Sequence, residues 1–373
     1  MTPTVLFTAF EPSGDALAAA VITRLRSLRP DWSIHGWGGP RMAAAGAEVH
    51  EDTVSHAAMG LGAIAHLQRI RAHHRSILEW VARHPPLIHL PVDSPAANFP
   101  LCKRMRPRGV KVVHLAAPQL WAWAPWRAAK LRRSTDLVLC LLPFEPAWFA
   151  QRGIPARFVG HPAISRPLDT GALDAAARRL PGGDPRLLLM PGSRDQELRR
   201  NIPLMLDCVE AVRERHPDLA VAITAVDEDK AELIRARLAR AGGRIDVTVG
   251  NRDGALHWSD VVLAVSGTVT LDIMRHGRPM IGLYRTGPVG WLGSKIILTI
   301  KNRLLPNLIA GRRIVPEYVP HWGGHQAISR SLNTLLDSPA IRLTQVGCLQ
   351  AALQPYAGVD FAESAGDAVV EVV

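Results

Sequence analysis

The 373-residue chain reads as an α/β protein built on two parallel, doubly wound sheets, each with helices on both faces. Three observations predict this. Short apolar runs alternate with helical segments along the whole length, as strands buried on both faces do. The runs fall into two groups separated by a stretch rich in Pro, Gly and Asp from Phe158 to Pro185, which is how a chain too long for one ordinary core divides. Two of the runs break at small-residue turns that open directly into helices.

The first group holds the runs Val5 to Ala9, Leu87 to Val92, Val110 to Ala116 and Leu137 to Leu142. The opening segment, Met1-Thr-Pro-Thr-Val-Leu-Phe-Thr-Ala, has no basic region ahead of an apolar one and reads as a first strand rather than a leader. Glu11-Pro-Ser-Gly-Asp15 follows, with Ser13 or Asp15 as the expected cap of a helix from Ala16 to Leu28. The second run ends at Asp93, a carboxylate at the carboxyl end of a strand, where α/β folds gather ligands. Such a group serves as a general base if its pKa is raised, and equally well caps a loop. Trp121-Ala-Trp123-Ala-Pro-Trp126 follows the third run and is either a core block or a platform for a sugar or acyl chain.

The second group holds Leu187 to Met190, Leu219 to Ala225, Val261 to Val265 and Met280 to Tyr284. Its first run breaks at Pro191-Gly192-Ser193-Arg194 and enters the amphipathic segment from Glu197 to His216. A helix start presents unpaired N–H groups and partial positive charge, Gly192 admits a close approach, and Arg194 adds a forked donor. The grammar recurs at Ser266-Gly267-Thr268, followed one helical turn in by Asp272, a carboxylate able to bind ribose hydroxyls. Two such turns in one half point to a nucleotide diphosphate. Because open sheets bind ligands beyond their strands' carboxyl ends, two facing domains would form a cleft, with the second substrate and the chemistry on the first domain.

Composition removes several classes. A net charge of +11 favours anionic partners, but 3 Tyr, 7 Phe and no basic run interleaved with aromatics leave no stacking surface for nucleic acid. Four dispersed cysteines without a CxxC pair fit reduced thiols in the cytoplasm. No window reaches the roughly 20 apolar residues of a membrane span. Asp227-Glu-Asp229 looks like a metal-holding Asp-x-Asp, yet it opens a charged helix and reads better as its acidic cap. With no HExxH spacing either, no metal is expected. The segment Gly290 to Lys301 mixes an apolar run with Trp291 and lysines, as either an interfacial or a buried helix would.

Together these motifs resemble the lipid-A-disaccharide synthases, inverting glycosyltransferases of GT-B architecture with two Rossmann-like domains. The resemblance rests on Glu11-Pro-Ser-Gly-Asp15, Gly39-Pro-Arg-Met42, Ala58-Met59-Gly60, Val92-Asp-Ser-Pro95, Trp121-Ala-Trp123, Leu142-Pro-Phe-Glu145, Phe158-Val-Gly-His-Pro162, Pro191-Gly-Ser-Arg194, Ser266-Gly-Thr268 and Pro306-Asn307-Leu-Ile-Ala-Gly-Arg312, in that order. It implies an acceptor domain over residues 1–165, with 348–373 crossing back to it, and a UDP-sugar domain over 166–347. It also implies transfer of 2,3-diacylglucosamine from UDP to 2,3-diacylglucosamine 1-phosphate (lipid X), forming a β-1,6 disaccharide with no cofactor and no metal.

By the same resemblance Asp93 is the base and Glu11 a second carboxylate. Ser13, Gly14, Asp15, Met59, Asn98, Trp121 and Trp123 lie on the acceptor side. Gly192, Ser193, Arg194, Glu197, Ser266, Gly267, Thr268, Asp272 and Asn307 bind or border the nucleotide. Both substrates carry acyl chains, so docking on an anionic membrane is expected, on the inner face of the inner membrane of a Gram-negative-type bacterium; homo-oligomerisation stays open. The chain departs from the family at Phe10, at Ala96-Ala97 and at Asp272. Those departures motivate an altered-acceptor or non-catalytic paralogue as an alternative, beside a UDP-GlcNAc 2-epimerase-like enzyme.

Overall fold

The computed structural model describes residues 2–55, 63–239, 244–288, 291 and 300–373, and the chain divides into two compact units, Met1–Ser165 with Gly358–Val373, and Arg166–Ala357. Among the described residues, the first unit carries a seven-stranded parallel sheet in the order β3-β2-β1-β4-β5-β6-β7. Its strands are β1 Thr4–Ala9, β2 Ser33–Gly38, β3 Glu48–Asp52, β4 Ile88–Val92, β5 Lys111–Leu115, β6 Leu137–Cys140 and β7 Ala156–Phe158. The central strands β1 and β4 are buried on both faces because helices cover both, which is why, Thr8 and His89 apart, they read as hydrophobic runs. β2, β3 and β7 escaped the sequence reading: Ser33-Ile-His-Gly-Trp-Gly38 mixes polar residues and glycines, β3 is an edge strand with no buried residue, and β7 spans 3 residues.

Among its described residues the second unit carries a six-stranded parallel sheet, β10-β9-β8-β11-β12-β13. Its strands are β8 Arg186–Met190, β9 Ala220–Ala225, β10 Asp246–Val249, β11 Val261–Val265, β12 Met280–Arg285 and β13 Glu317–His321. The two edge strands, β10 and β13, are the ones sequence reading missed. Each is largely half-buried and lacks a continuous apolar run.

The carboxyl-terminal return begins later than residue 348. Positions 348–353 complete the helix Pro339–Leu353, which belongs to the second unit, and only the helix Phe361–Val372 joins the first. It lies along Pro12–Leu28, inserting Phe361, Ala365, Ala368 and Val369 into the core around β1. Arg24 bonds Asp367 at 3.1 Å across this contact, and a Cβ on Gly366 would strike the Arg24 stem. The return is therefore held by apolar burial first and by ion pairs at its rim.

Candidate functional site

In each unit the strand order reverses between two central strands, and α/β sheets bind ligands beyond the carboxyl ends at such a point. In the first unit the reversal lies between β1 and β4, and the residues that follow them are Glu11 and Asp93. Asp93 and Ser94 are both left-handed, with φ of 47° and 41°. Non-glycine residues in that region cost about 1–3 kcal/mol each and persist only where their surroundings enforce them. Here the Asp93 N–H donates to Leu115 O at 2.9 Å, and Pro95 starts the helix Pro95–Met105 immediately afterwards. The Ser94 hydroxyl donates to Glu11 Oε1 at 3.1 Å, tying the two strand ends together. Burial pushes the Asp93 carboxyl above its ordinary range, the Ser94 N–H opposes that, and the negative charge of Glu11 adds to it.

The other acceptor-side candidates divide. Ser13 is exposed at the start of Pro12–Leu28, whose first flanking residue is Glu11 and which has no side-chain cap. Neither Ser13 nor Asp15 caps that helix. Asp15, only 2% exposed, instead accepts from the N–H groups of Gly39, Arg41 and Met42 at 3.0–3.1 Å and caps the neighbouring helix Pro40–Ala44. It is structural. Gly14 is buried where a Cβ would come within 3.4 Å of Ala9 Cβ and Val92 O, so its lack of a side chain lets the helix close on the site.

Asn98 is fully buried, its amide bonded to Val92 O at 3.1 Å, Asp93 O at 2.8 Å and the Thr8 hydroxyl at 2.7 Å, so it holds protein rather than acceptor. Trp121 is buried against Phe144 and donates Nε1–H to Glu145, whereas Trp123 is half-buried under Arg127. Met59 lies outside the described residues, as does most of Gly290 to Lys301. Phe10 is buried in a cluster with Trp37 and Ile77, its ring against His73 and His74.

The second unit contains a pocket of about 860 Å³ at the reversal between β8 and β11. Gly192, Ser193, Arg194 and Glu197 line it from the first turn, and Ser266, Gly267 and Thr268 from the second. Gly192 has φ of 103°, and a Cβ there would lie 2.5 Å from Glu197 Oε2. That carboxylate accepts from the Ser193 and Arg194 N–H groups at 3.1 and 3.3 Å and from the Arg194 guanidinium at 2.9 Å. Glu197 is thus the internal cap of the turn, holding its shape while Arg194 stays largely exposed at the pocket. Gly267 faces open space.

Two nucleotide candidates do not line this pocket. Asp272 is buried and pairs with Arg252 at 3.2 Å, and it is Arg252 that reaches the pocket. Asn307 is fully buried, accepting from the N–H groups of Ile314 and Val315 and donating to Val315 O and Glu317 Oε2. It braces the turn into β13. Conversely, sequence reasoning missed Arg166, Thr224, Val226, Asn251, Arg252 and Asp253, which line the same pocket. The signal was available for Thr224 and Val226, at the carboxyl end of a recognised strand; Asn251 and Arg252 follow β10, which was not recognised. Arg166 bonds Asp253 at 2.8 Å and Arg275 reaches it at 3.3 Å, so with the Arg252–Asp272 pair three guanidinium groups face two carboxylates and the wall keeps a net positive charge.

Asp227 accepts from the Lys230 N–H at 2.8 Å, the capping role expected of the Asp-x-Asp tract. Among the described residues one His and Glu group has metal-ligand spacing: His35, Glu48 and His50. His35 Nδ1 and His50 Nε2 face each other at 3.1 Å with near-parallel rings, a hydrogen-bonded pair within β2 and β3.

The family model for lipid-A-disaccharide synthetase matches residues 5–345. Similar curated proteins include the lipid-A-disaccharide synthase of Solibacter usitatus, 34% identical over 90% of this chain and 88% of its own. That of Pseudomonas aeruginosa is 32% identical over 96% of both. Among solved structures, the S. aureus MnaA–UDP co-structure superposes with a TM-score of 0.64 at 12% identity, covering 99% of this chain and 95% of that one. A glycosyltransferase from Rickettsia africae does so with 0.55 at 11%, covering 99% and 97%. The fold is that of GT-B glycosyltransferases.

Proposed function

The chain belongs to the lipid-A-disaccharide synthetase family, and from that premise we propose how its own residues carry the reaction. It is a hexosyltransferase that moves 2,3-diacylglucosamine from UDP to lipid X. The acceptor hydroxyl oxygen attacks the anomeric carbon of the donor as the bond from that carbon to the UDP phosphate breaks, and the new β-1,6 linkage carries inverted configuration. Asp93 takes the hydroxyl proton, and UDP leaves with the bonding electron pair.

The observation that supports Asp93 most is its position: a carboxylate held on two consecutive left-handed residues at the sheet's reversal point, with its proton affinity raised by burial and by Glu11. Glu11, exposed and bonded by Ser94, orients the acceptor. On the donor side, Arg194, Arg252 and the Ser266–Thr268 turn supply positive charge where the diphosphate departs, which supports transfer without a divalent metal. The basic chain and the acyl groups of both substrates support docking on an anionic inner-membrane surface; no described helix is long and apolar enough to cross one.

The test is mass spectrometry of products from UDP-2,3-diacylglucosamine and lipid X, with and without a chelator, for the parent and Asp93→Ala. A tetraacyl disaccharide phosphate made in chelator by the parent alone is expected. Product from Asp93→Ala at parental rate would overturn the base, and loss of product in chelator would overturn metal independence.

A further inference from the structure

A polar chain runs through the interior of the first unit from His89 on β4 to the Asp93 backbone. Thr8, His89 and Asn98 are each fully buried. The hydrogen-bond directions follow from chemistry alone. The Val92 and Asp93 carbonyls can only accept, so both Nδ2 hydrogens of Asn98 point to them, at 3.1 and 2.8 Å. Asn98 Oδ1 therefore accepts from the Thr8 hydroxyl at 2.7 Å. With its hydrogen committed there, Thr8 Oγ1 accepts from His89 Nε2–H at 2.9 Å, leaving Nδ1 as the bare ring nitrogen, without a hydrogen-bond partner among the described residues. Burial holds His89 down to about 3, with the neighbouring His114 adding to it, so the chain keeps one protonation state through the working range.

We propose that Asn98, locked by Thr8 and His89, is the positioning residue for Asp93: it grips the carbonyls on both sides of the Asp93 nitrogen and so holds the left-handed turn that aims the carboxylate. This rests on Asp93 being the base. The Leu115 carbonyl fixes the Asp93 N–H, and Asn98 fixes the carbonyls of Val92 and Asp93, so the peptide units on either side of the Asp93 Cα cannot rotate. The helix Pro95–Met105 carries the grip, because Asn98 lies on its first turn and its own N–H bonds Ser94 O at 3.0 Å. Thr8 and His89 touch no solvent; they act only by forbidding the amide to flip.

The experiment compares kcat, KM for the UDP donor and the acidic limb of the pH profile in Asp93→Ala, Asn98→Ala, Thr8→Val and Thr8→Ser, with UDP affinity and the urea midpoint as folding controls. Misplacing a reacting group by about 1 Å costs on the order of 100-fold. Asn98→Ala is expected to lower kcat by about that factor, and Thr8→Val, nearly isosteric, by about 10-fold. Donor KM stays within about twofold and the acidic limb moves in both, while Thr8→Ser, which restores the hydroxyl, recovers turnover relative to Thr8→Val. If Asn98→Ala does not fold, the Thr8 pair decides. Inactive Asp93→Ala beside Thr8 and Asn98 variants with parental kcat, or with lowered kcat and an unmoved limb, overturns this inference alone. Active Asp93→Ala overturns the base reading and this inference with it.

Discussion

Asp93 and Glu11 carry like charges at neighbouring strand ends, and that gives the pair a pH signature. Burial first and Glu11 second raise the Asp93 pKa above its ordinary 3.8. A base works only when ionised, so kcat/KM falls as the pH drops through this raised value. Glu11→Gln removes the charge but keeps the shape, so the limb is expected to move to lower pH; a pH profile in which it stays or rises refutes the coupling. Glu145 gives a second signature. It is buried at the start of the helix Glu145–Ala150 that follows β6, where desolvation pushes it up to about 7 against the opposing bonds from Leu142 N–H and Trp121. The folded state then holds a proton that the unfolded chain releases near 4.5. The stability it contributes is complete below that pH and lost as the pH rises through about 7. Calorimetric melting temperatures should fall across this window in the parent and lose that component in Glu145→Leu.

At the scale of elements, the turn from β8 into the helix Asp195–Arg213 is shaped by one glycine and one carboxylate. A methyl at Gly192 meets Glu197 Oε2 at 2.5 Å and Cβ at 2.9 Å, on a backbone with φ of 103°. Gly192→Ala is expected to weaken UDP binding by roughly 10-fold or more, since the strain of about 1–3 kcal/mol is relieved only by opening the turn; calorimetric titration with UDP checks it, and an unchanged affinity removes the turn from the site. The returning helix Phe361–Val372 gives a complementary case. Phe361 is 1% exposed in the core of the first unit. Phe361→Ala should cost about 3–5 kcal/mol, read as a lower urea midpoint, with the second unit's UDP affinity unchanged. The motif turns at Glu11, Asp93, Gly192 and Ser266 were legible because each follows an apolar run at a strand end. The functions of Asp15, Asn98, Asp272 and Asn307 were not, because a polar residue in a motif reads the same whether it faces a ligand or another backbone.

Across the whole molecule, the charge of +11 acts at long range on any anionic surface and is screened within about 10 Å at 0.1 M salt. If docking is electrostatic, co-sedimentation with vesicles containing anionic lipid should be strong at low salt and fall steeply by about 0.5 M, where the screening length is only a few ångströms. Binding to neutral vesicles of the same strength would remove charge as the cause.

The sequence by itself determined the fold class, the two sheets and the family, because continuous apolar runs, their spacing and the turns that end them are local properties of the chain. It also placed Asp93 and Gly192 at strand ends, since a strand's carboxyl end is visible wherever its apolar run stops. Only the tertiary structure decided what each polar side chain near those ends faces. Asp15 caps a neighbouring helix 24 residues away, Asn98 reaches back to a threonine 90 residues earlier, and Arg252 pairs with Asp272. Such pairings depend on which strands become neighbours and on how closely helices settle over them, and a buried polar group takes whichever partner that packing brings within hydrogen-bond distance.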